Sequence, residues 1–319
     1  MLLRPPSIPY RSSPSFAAPI IPFILPRTHL MPLHEPELPA GSQLSHLDHR
    51  RDIVGMTYVY PVVSRRAGGV SVGINLNPNN ACNWACVYCQ VPNLTRGGPP
   101  PIDLALLAEE LRALLNDIVH GDFMQREVPE SVRSLMDIAF SGNGEPTSAV
   151  EFPQAIDIAI ALMQELNLLP TVKLRLITNG SLLHRSAVRA GIQRIGEVDG
   201  EVWFKVDRAT ATGMAAVNKI ALEPAKVLSN LQVCTDLAPT WLQTCWFTLD
   251  GNAPDEAEQA AYLEFANAVR TKIKGVHLYG LARPSLQPDA PRLGRLPPDQ
   301  LAAFAARITT MGIKVTLNP

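Results

Sequence analysis

Cysteine is scarce in this chain: its 319 residues include only five, an odd number. Secreted proteins that depend on disulfides carry a denser and even set, so the count opposes a disulfide scaffold and favours a reducing compartment. An excess of charge is also lacking, because 28 basic and 29 acidic residues leave a net charge of −1. That balance gives no support for binding to nucleic acid or to an anionic membrane.

Long apolar runs are missing near the start of the chain. The stretch FAAPIIPFIL, residues 16–25, is interrupted by two prolines and is too short to span a bilayer. It also lacks the basic flank and the small-residue cleavage site of a signal peptide. We therefore expect a cytoplasmic protein with no membrane partner.

Proline is concentrated at the N-terminus, where residues 1–40 contain ten and no acidic residue precedes Glu35. Because proline removes backbone donors and interrupts helices and sheets, we predict that residues 1–50 form a disordered tail or lie upstream of the true start. The pattern changes from residue 51, and no linker-like break separates Val70 from the C-terminus. Residues 51–319 are thus predicted to form one catalytic domain.

Strand and helix patterns alternate along that domain. Strands are predicted at 70–76, 135–140, 172–178, 201–207, 244–250, 275–282 and 313–317, and helices at 102–121, 149–167, 182–195, 223–236, 254–274 and 298–311. In the first helix, leucines at 104, 107, 111 and 114 form one apolar stripe, with Asp103 able to cap the start. The alternation predicts an α/β fold with parallel strands and right-handed helical crossovers, as an open sheet or a barrel.

Three of the five cysteines lie within eight positions, in the segment ACNWACVYCQV. The spacing C-x3-C-x2-C keeps Cys82, Cys86 and Cys89 on one short loop, and thiolates bind soft metal centres. Three thiolates on a four-iron cluster would leave one iron open to a small molecule. Two alternatives remain at this point: a zinc site completed by a distant histidine, and buried thiols without a ligand. Cys234 and Cys245 are isolated and predicted to be ordinary buried thiols.

Other polar segments directly follow the predicted strands, and in α/β folds such loops form the active site. They are SGNGEPTS (141–148), TNGS (178–181), KVDRAT (205–210), LDGN (249–252) and ARPS (282–285). Lys205 and Asp207 lie two residues apart on one strand and are expected to share a face. They form either an ion pair beside the substrate or a structural pair. An inward lysine also permits an aldolase-like Schiff base as a competing function.

The cysteine spacing with aromatic Tyr88 before the last cysteine, together with GNGEP after the next strand, resembles the radical S-adenosylmethionine (radical SAM) superfamily. Within it, the segments VSVGINLNPNNACNWACVYCQV, FSGNGEPT, VWFKVDRAT and YGLARPS look closest to uncharacterised iron–sulfur relatives of the wyosine tRNA-base synthases. The resemblance extends from about residue 50 to the end. It implies a partial (β/α)6 barrel in which a reduced [4Fe–4S] cluster cleaves S-adenosylmethionine to a 5′-deoxyadenosyl radical, which abstracts a substrate hydrogen atom.

The resemblance also implies residue roles. Cys82, Cys86 and Cys89 would be the cluster ligands, and Tyr88 would lie against the adenine. Contacts to the amino group of S-adenosylmethionine would come from the GNGEP motif, namely Gly142, Asn143, Gly144 and Glu145. The family pattern often has two adjacent glycines before the glutamate, whereas Asn143 separates them here.

Three residues of the TNGS segment, Thr178, Asn179 and Ser181, sit where a ribose or carboxylate contact would fall, although a simple turn would use the same residues. Asp250, Asn252 and Arg283 are further candidates for contacts with the cofactor or the substrate. One cluster is expected, because Cys234 and Cys245 are too few to bind a second. The expected partners are an external one-electron reductant, such as flavodoxin or ferredoxin, and a substrate that is a small molecule, a peptide or a tRNA base.

Overall fold

The computed structural model describes Leu44, residues 55–64 and residues 67–318. The prediction of a proline-rich tail over 1–50 therefore lies outside the described residues, apart from Leu44. Within the described part, no helix has both the length and the apolar character needed to cross a membrane.

The core of the fold is an eight-stranded sheet whose spatial order follows the chain. Its strands are β1 (Val59–Ser64), β2 (Gly69–Ile74), β3 (Leu135–Phe140), β4 (Lys173–Thr178), β5 (Glu201–Lys205), β6 (Thr240–Cys245), β7 (Gly275–Tyr279) and β8 (Val315–Asn318). In this sheet the β1–β2 pair is antiparallel, and β2 to β8 are all parallel. A sheet wound in one direction by right-handed crossovers curls on itself, which gives the predicted α/β half-barrel.

Helices connect the parallel strands. They are α1 (Leu104–His120), α2 (Phe123–Glu127), α3 (Phe152–Glu165), α4 (Ser186–Glu197), α5 (Ala211–Asn218), α6 (Pro224–Leu237), α7 (Glu256–Asn267) and α8 (Pro298–Thr310). In the apolar stripe of α1, Leu107, Leu111 and Leu114 are buried and Leu104 is partly buried. The start of α1 is capped as predicted, because the Asp103 carboxylate accepts from the N–H groups of Ala105 and Leu106, both at 3.0 Å.

One predicted strand was placed too late in the sequence. We expected a strand over 244–250, whereas β6 covers Thr240–Cys245 and Cys245 ends it. The apolar run that follows is buried for other reasons: Trp246 stacks on Phe304, with ring centroids 4.3 Å apart, and Phe247 packs against Tyr88 at 5.5 Å. Later in the predicted range, Thr248–Leu249 does form a short strand, but it pairs antiparallel with Leu293–Gly294 in a separate two-stranded sheet.

Alternate residues of the strands point into the half-barrel and line a cavity of about 340 Å³. The lining includes pairs two residues apart on four neighbouring strands: Asp137 and Ala139, Arg175 and Ile177, Trp203 and Lys205, Gln243 and Cys245. The cavity continues to the carboxyl ends of the strands, where it meets the cysteine loop. The interior of the sheet and the loops thus share one space.

Candidate active site

The three clustered cysteines lie on the loop that leaves β2, and this loop is held from several directions. Cys82 belongs to a short parallel ladder, Ala81–Cys82 against Thr95–Arg96. The N–H of Cys89 donates to the carbonyl of Cys86 at 3.0 Å. Because its backbone forms these hydrogen bonds within the protein, the loop holds the three cysteines in a fixed arrangement.

The C-terminal end of α5 docks on the same loop. The N–H of Ala85 donates to the carbonyl of Asn218 at 3.3 Å, and that of Val87 to the carbonyl of Val217 at 2.8 Å. From the other side, the Ser285 hydroxyl donates to the carbonyl of Val87 at 2.7 Å. Ser285 belongs to the predicted ARPS segment, so this segment supports the cysteine loop.

All three cysteines line the cavity and all are free thiols of intermediate exposure. Burial raises the pKa of Cys82 to about 11 and that of Cys86 to about 12, and the proximity of Cys89 adds to both shifts. These thiols therefore ionise at neutral pH only if a positive centre binds them. Cys89 is therefore close enough to both Cys82 and Cys86 to influence their ionisation.

The donor set distinguishes between a cluster and a single zinc ion. Among the described residues, no three His, Cys, Asp or Glu side chains are close enough together to hold one metal ion. No histidine is found among the cavity-lining residues of the described chain, so a fourth zinc ligand of that type is missing. In a four-iron cluster each sulfur binds a different iron, so the ligands surround the group instead of converging on one point. Three thiols around one cavity fit a cluster better than zinc.

The GNGEP motif packs directly against the cysteine loop. A Cβ atom on Gly144 would lie 2.1 Å from the carbonyl oxygen of Ala81, so only glycine permits this approach. The N–H of Asn143 donates to Oδ1 of Asn75 at 3.0 Å, and its Nδ2 donates to Oδ1 of Asn80 at 2.6 Å. The motif therefore contributes directly to the position of the loop, and Gly142, Asn143, Gly144 and Glu145 all line the cavity.

Glu145 is 3% exposed, and its carboxylate accepts several hydrogen bonds from the protein. Oε1 accepts from the hydroxyls of Thr147 and Thr178, each at 2.6 Å, and Oε2 accepts from the N–H of Asn179 at 2.7 Å. Burial raises the pKa of Glu145, and these hydrogen bonds oppose that rise. The carboxylate links the loop after β3 to the loop after β4, and its predicted contact with an amino group remains a prediction.

The TNGS residues form a network with the cysteine loop. Asn179 Nδ2 donates to Oδ1 of Asn83 at 2.8 Å, and Asn83 Nδ2 donates to the Ser181 hydroxyl at 2.8 Å. Asn179 lines the cavity, whereas Thr178 and Ser181 do not. Thr178 and Ser181 therefore serve here to hold loops together, and their predicted cofactor contacts are untested.

Lys205 and Asp207 are connected through Tyr88. Lys205 Nζ donates to the Tyr88 hydroxyl at 2.5 Å, and that hydroxyl donates to Oδ2 of Asp207 at 2.6 Å. Burial lowers the pKa of Lys205, but the surrounding acidic groups together, Asp207 foremost, outweigh burial and hold this pKa above its usual range. A Schiff base requires a neutral amine, so a permanently charged Lys205 counts against the aldolase-like alternative.

Some site residues were missed by the sequence analysis. Asn218 donates from Nδ2 to Cys86 Sγ at 3.3 Å and to Oδ2 of Asp207 at 3.0 Å, but it lies at the end of α5, a helix that was not predicted. Gln243 lines the cavity from the middle of β6. A glutamine inside a run of strand residues is a signal for an inward polar face, and the displaced strand assignment hid it.

The remaining candidates differ in their locations. Arg283 lines the cavity, whereas Asp250 forms an ion pair with Arg292 at 2.7 Å and is half exposed. Cys234 and Cys245 are both buried, as predicted, and Cys245 also lines the cavity.

Comparisons with known proteins agree with this geometry at the level of the fold. No family model matches the sequence. A crystal structure of a radical SAM methyltransferase from Sphaerobacter thermophilus superposes with a TM-score of 0.55 at 16% identity, covering 81% of this chain and 68% of that one. A structure of anSMEcpe with bound AdoMet gives 0.51 at 16% identity, covering 77% and 63%.

The chain has a radical SAM fold. Two curated proteins are similar in sequence: UPF0026 protein MJ1312 of Methanocaldococcus jannaschii, 29% identical over 161 residues, and GTPase Obg of Brachyspira hyodysenteriae, 27% identical over 135 residues. The matches cover 46% and 41% of this chain but only 43% and 17% of those proteins. The relationship to wyosine tRNA-base synthases stays a prediction.

Proposed function

We propose that this protein is a radical SAM enzyme with one [4Fe–4S] cluster on Cys82, Cys86 and Cys89. The observation that carries the proposal is the meeting of three free thiols with the GNGEP loop at the carboxyl ends of a parallel half-barrel. The similarity of the fold to radical SAM enzymes supports it independently. A cytoplasmic location and an external reductant such as flavodoxin or ferredoxin remain part of this proposal.

When bound, the cluster would supply the electron that cleaves S-adenosylmethionine to methionine and a 5′-deoxyadenosyl radical able to take a hydrogen atom from the substrate. The protein's task is to orient the reactants and exclude water. Gly142 and Gly144 let the GNGEP loop pack against the protein, because a Cβ atom would lie 2.3 Å from Asn75 Oδ1 at Gly142 and 2.1 Å from the Ala81 carbonyl oxygen at Gly144. The loop residues that line the cavity would meet the cofactor there. Tyr88 lines the same cavity and is fixed by Lys205 and Asp207.

The experiment is anaerobic reconstitution of the full chain with iron and sulfide, followed by reduction in the presence of S-adenosylmethionine. We expect iron and sulfide to bind and 5′-deoxyadenosine to form. Cys86→Ala should abolish cleavage. Cys234→Ala is the matched control, because Cys234 is a buried thiol on α6 that does not line the cavity, and it should retain both cluster and product.

The competing functions predict different results. A zinc-stabilised binding protein would bind zinc, hold no iron after anaerobic purification and leave S-adenosylmethionine intact. An aldolase-like enzyme would be trapped by borohydride on Lys205 in the presence of a carbonyl substrate. A folded sample that neither binds iron nor cleaves the cofactor would refute the proposal.

A further inference from the structure

One wall of the cavity, formed by β5 to β8, carries polar side chains from neighbouring strands. Lys205 on β5 is the Cα partner of Gln243 on β6. Cys245 is the partner of Tyr279, and Tyr279 is the partner of Asn318 on β8. All five residues line the cavity, so they form a continuous surface, which we call the β5–β8 wall.

Two amides of this wall have hydrogen-bonding groups without partners among the described residues. Gln243 is 2% exposed, yet its Oε1 accepts no hydrogen bond there. Asn318 Nδ2 is buried and donates none. A buried polar group without a partner destabilises a protein, and most such groups in folded proteins are satisfied. We therefore infer that a ligand in the cavity forms hydrogen bonds with Gln243 Oε1 and Asn318 Nδ2.

Lys205 adds a positive charge beside Gln243. Its ammonium group has three N–H donors, and one is directed to Tyr88. Asp207 is hydrogen-bonded to the same Tyr88 hydroxyl at 2.6 Å. Lys205 consequently favours an oxygen with negative charge in the cavity, while Gln243 Oε1 requires a donor.

We propose that the β5–β8 wall binds a free amino acid as the substrate, with its amino group donating to Gln243 Oε1 and its carboxylate accepting from Lys205. Asn318 Nδ2 supplies a second donor for an oxygen of the ligand. An amino acid carries its amino group and its carboxylate on adjacent carbon atoms. This arrangement matches Gln243 and Lys205, which lie at paired positions of adjacent strands. The cavity is about 340 Å³ and is shared with S-adenosylmethionine, so the substrate is small. This inference rests on the proposed function for its assignment as substrate.

The test uses the reconstituted full chain and each of the twenty standard amino acids as a separate probe. Thermal unfolding gives the unfolding temperature, and titration calorimetry gives the affinity. We expect at least one to raise the unfolding temperature of the wild type. Its des-amino analogue, in which a hydrogen atom replaces the amino group, should bind at least about tenfold more weakly, as expected for the loss of one hydrogen bond from a charged donor. Gln243→Leu should weaken binding of the amino acid by a similar factor.

The same variant has a second readout that needs no ligand. Gln243→Leu removes the unpaired amide and should unfold at a higher temperature than the wild type. Thr244→Val is the matched control on the next position of β6: its hydroxyl is paired with the carbonyl of Val206 at 2.8 Å and with Tyr262, so this variant should unfold at a lower temperature. It should bind the amino acid as the wild type does.

Failure of this inference differs from failure of the proposed function. If cluster and 5′-deoxyadenosine form but no amino acid binds, or if Gln243→Leu binds it as tightly as the wild type, the substrate assignment is overturned and the enzyme class stands. Binding of a nucleoside or a peptide alone would also overturn it. If an amino acid binds but no cluster forms, the proposed function fails and the binding site stands.

Discussion

Replacement of Asn218 tests whether the network around Cys86 is as important as its geometry indicates. Asn218 is 2% exposed and uses both protons of its amide, one on Cys86 Sγ at 3.3 Å and one on Asp207 Oδ2 at 3.0 Å. Asn218→Leu keeps a similar volume but removes both donors. Asp207 then retains the Tyr88 hydroxyl at 2.6 Å and the N–H of Cys245 at 3.0 Å.

The expected loss of stability follows from the partners. A hydrogen bond to a charged group contributes about 1.5–3 kcal/mol, and one to a sulfur contributes less. Since Asp207 keeps two donors, we expect Asn218→Leu to lower the free energy of unfolding by about 2 kcal/mol. Urea denaturation of the cofactor-free full chain measures this quantity.

A second measurement distinguishes a link to the cluster from a structural role. Hydrogen bonds to cluster sulfurs favour the reduced, more negative state, so their loss makes the reduction potential more negative. We expect this shift for Asn218→Leu in a potentiometric titration of the reconstituted protein. Asn230→Leu is the matched control: Asn230 is buried and donates to the carbonyl of Gly180 at 3.0 Å, away from the cysteines. Equal potentials in the two variants would refute the link between Asn218 and Cys86.

Three further predictions concern the neighbouring groups. Gly144→Ala places a methyl group 2.1 Å from the carbonyl oxygen of Ala81 and should greatly reduce the iron bound after reconstitution; wild-type iron content would contradict the close packing. Glu145→Gln replaces one of the two accepting oxygens by an NH2 group, which then faces either the Thr147 and Thr178 hydroxyls or the N–H of Asn179. We expect the free energy of unfolding, measured in urea, to fall by about 1–3 kcal/mol. Lys205 should resist borohydride trapping with carbonyl compounds at neutral pH, because its pKa is raised; covalent labelling detected by mass spectrometry would contradict this.

Much of the fold was predictable because the spacing of apolar residues and the residues that begin and end each helix indicate the same elements. The α1 segment has an apolar stripe, a capping Asp103 and a closing Gly121, and the structure reproduces all three features. The α/β alternation predicted parallel strands, and the register confirms them from β2 to β8. In contrast, β1 was not predicted as a strand, since Pro61 interrupts it; an edge strand tolerates proline because one side needs no donor.

The site was predictable where the residue type itself carries the chemistry. The spacing singled out Cys82, Cys86 and Cys89 as candidates, the resemblance gave them the role of cluster ligands, and the structure brings them to one cavity. Asn218 was not found because α5 was not predicted, and Gln243 was not found because the strand that carries it was predicted to start at residue 244. Their roles depend on which atoms approach them in three dimensions, and the sequence does not contain that information in a local form.

The two sides of the cavity differ in how completely their polar groups are paired. On the β3–β4 side, Glu145 and Thr178 bind one another and the backbone, so the loops are rigid before any ligand arrives. On the β5–β8 side, Gln243 and Asn318 keep groups without partners among the described residues. A preorganised side suits a cofactor that must be held in one geometry for every turnover. A ligand that lacks a donor for Gln243 would leave that group unsatisfied. Under the proposal made above, these two amides would therefore select the substrate.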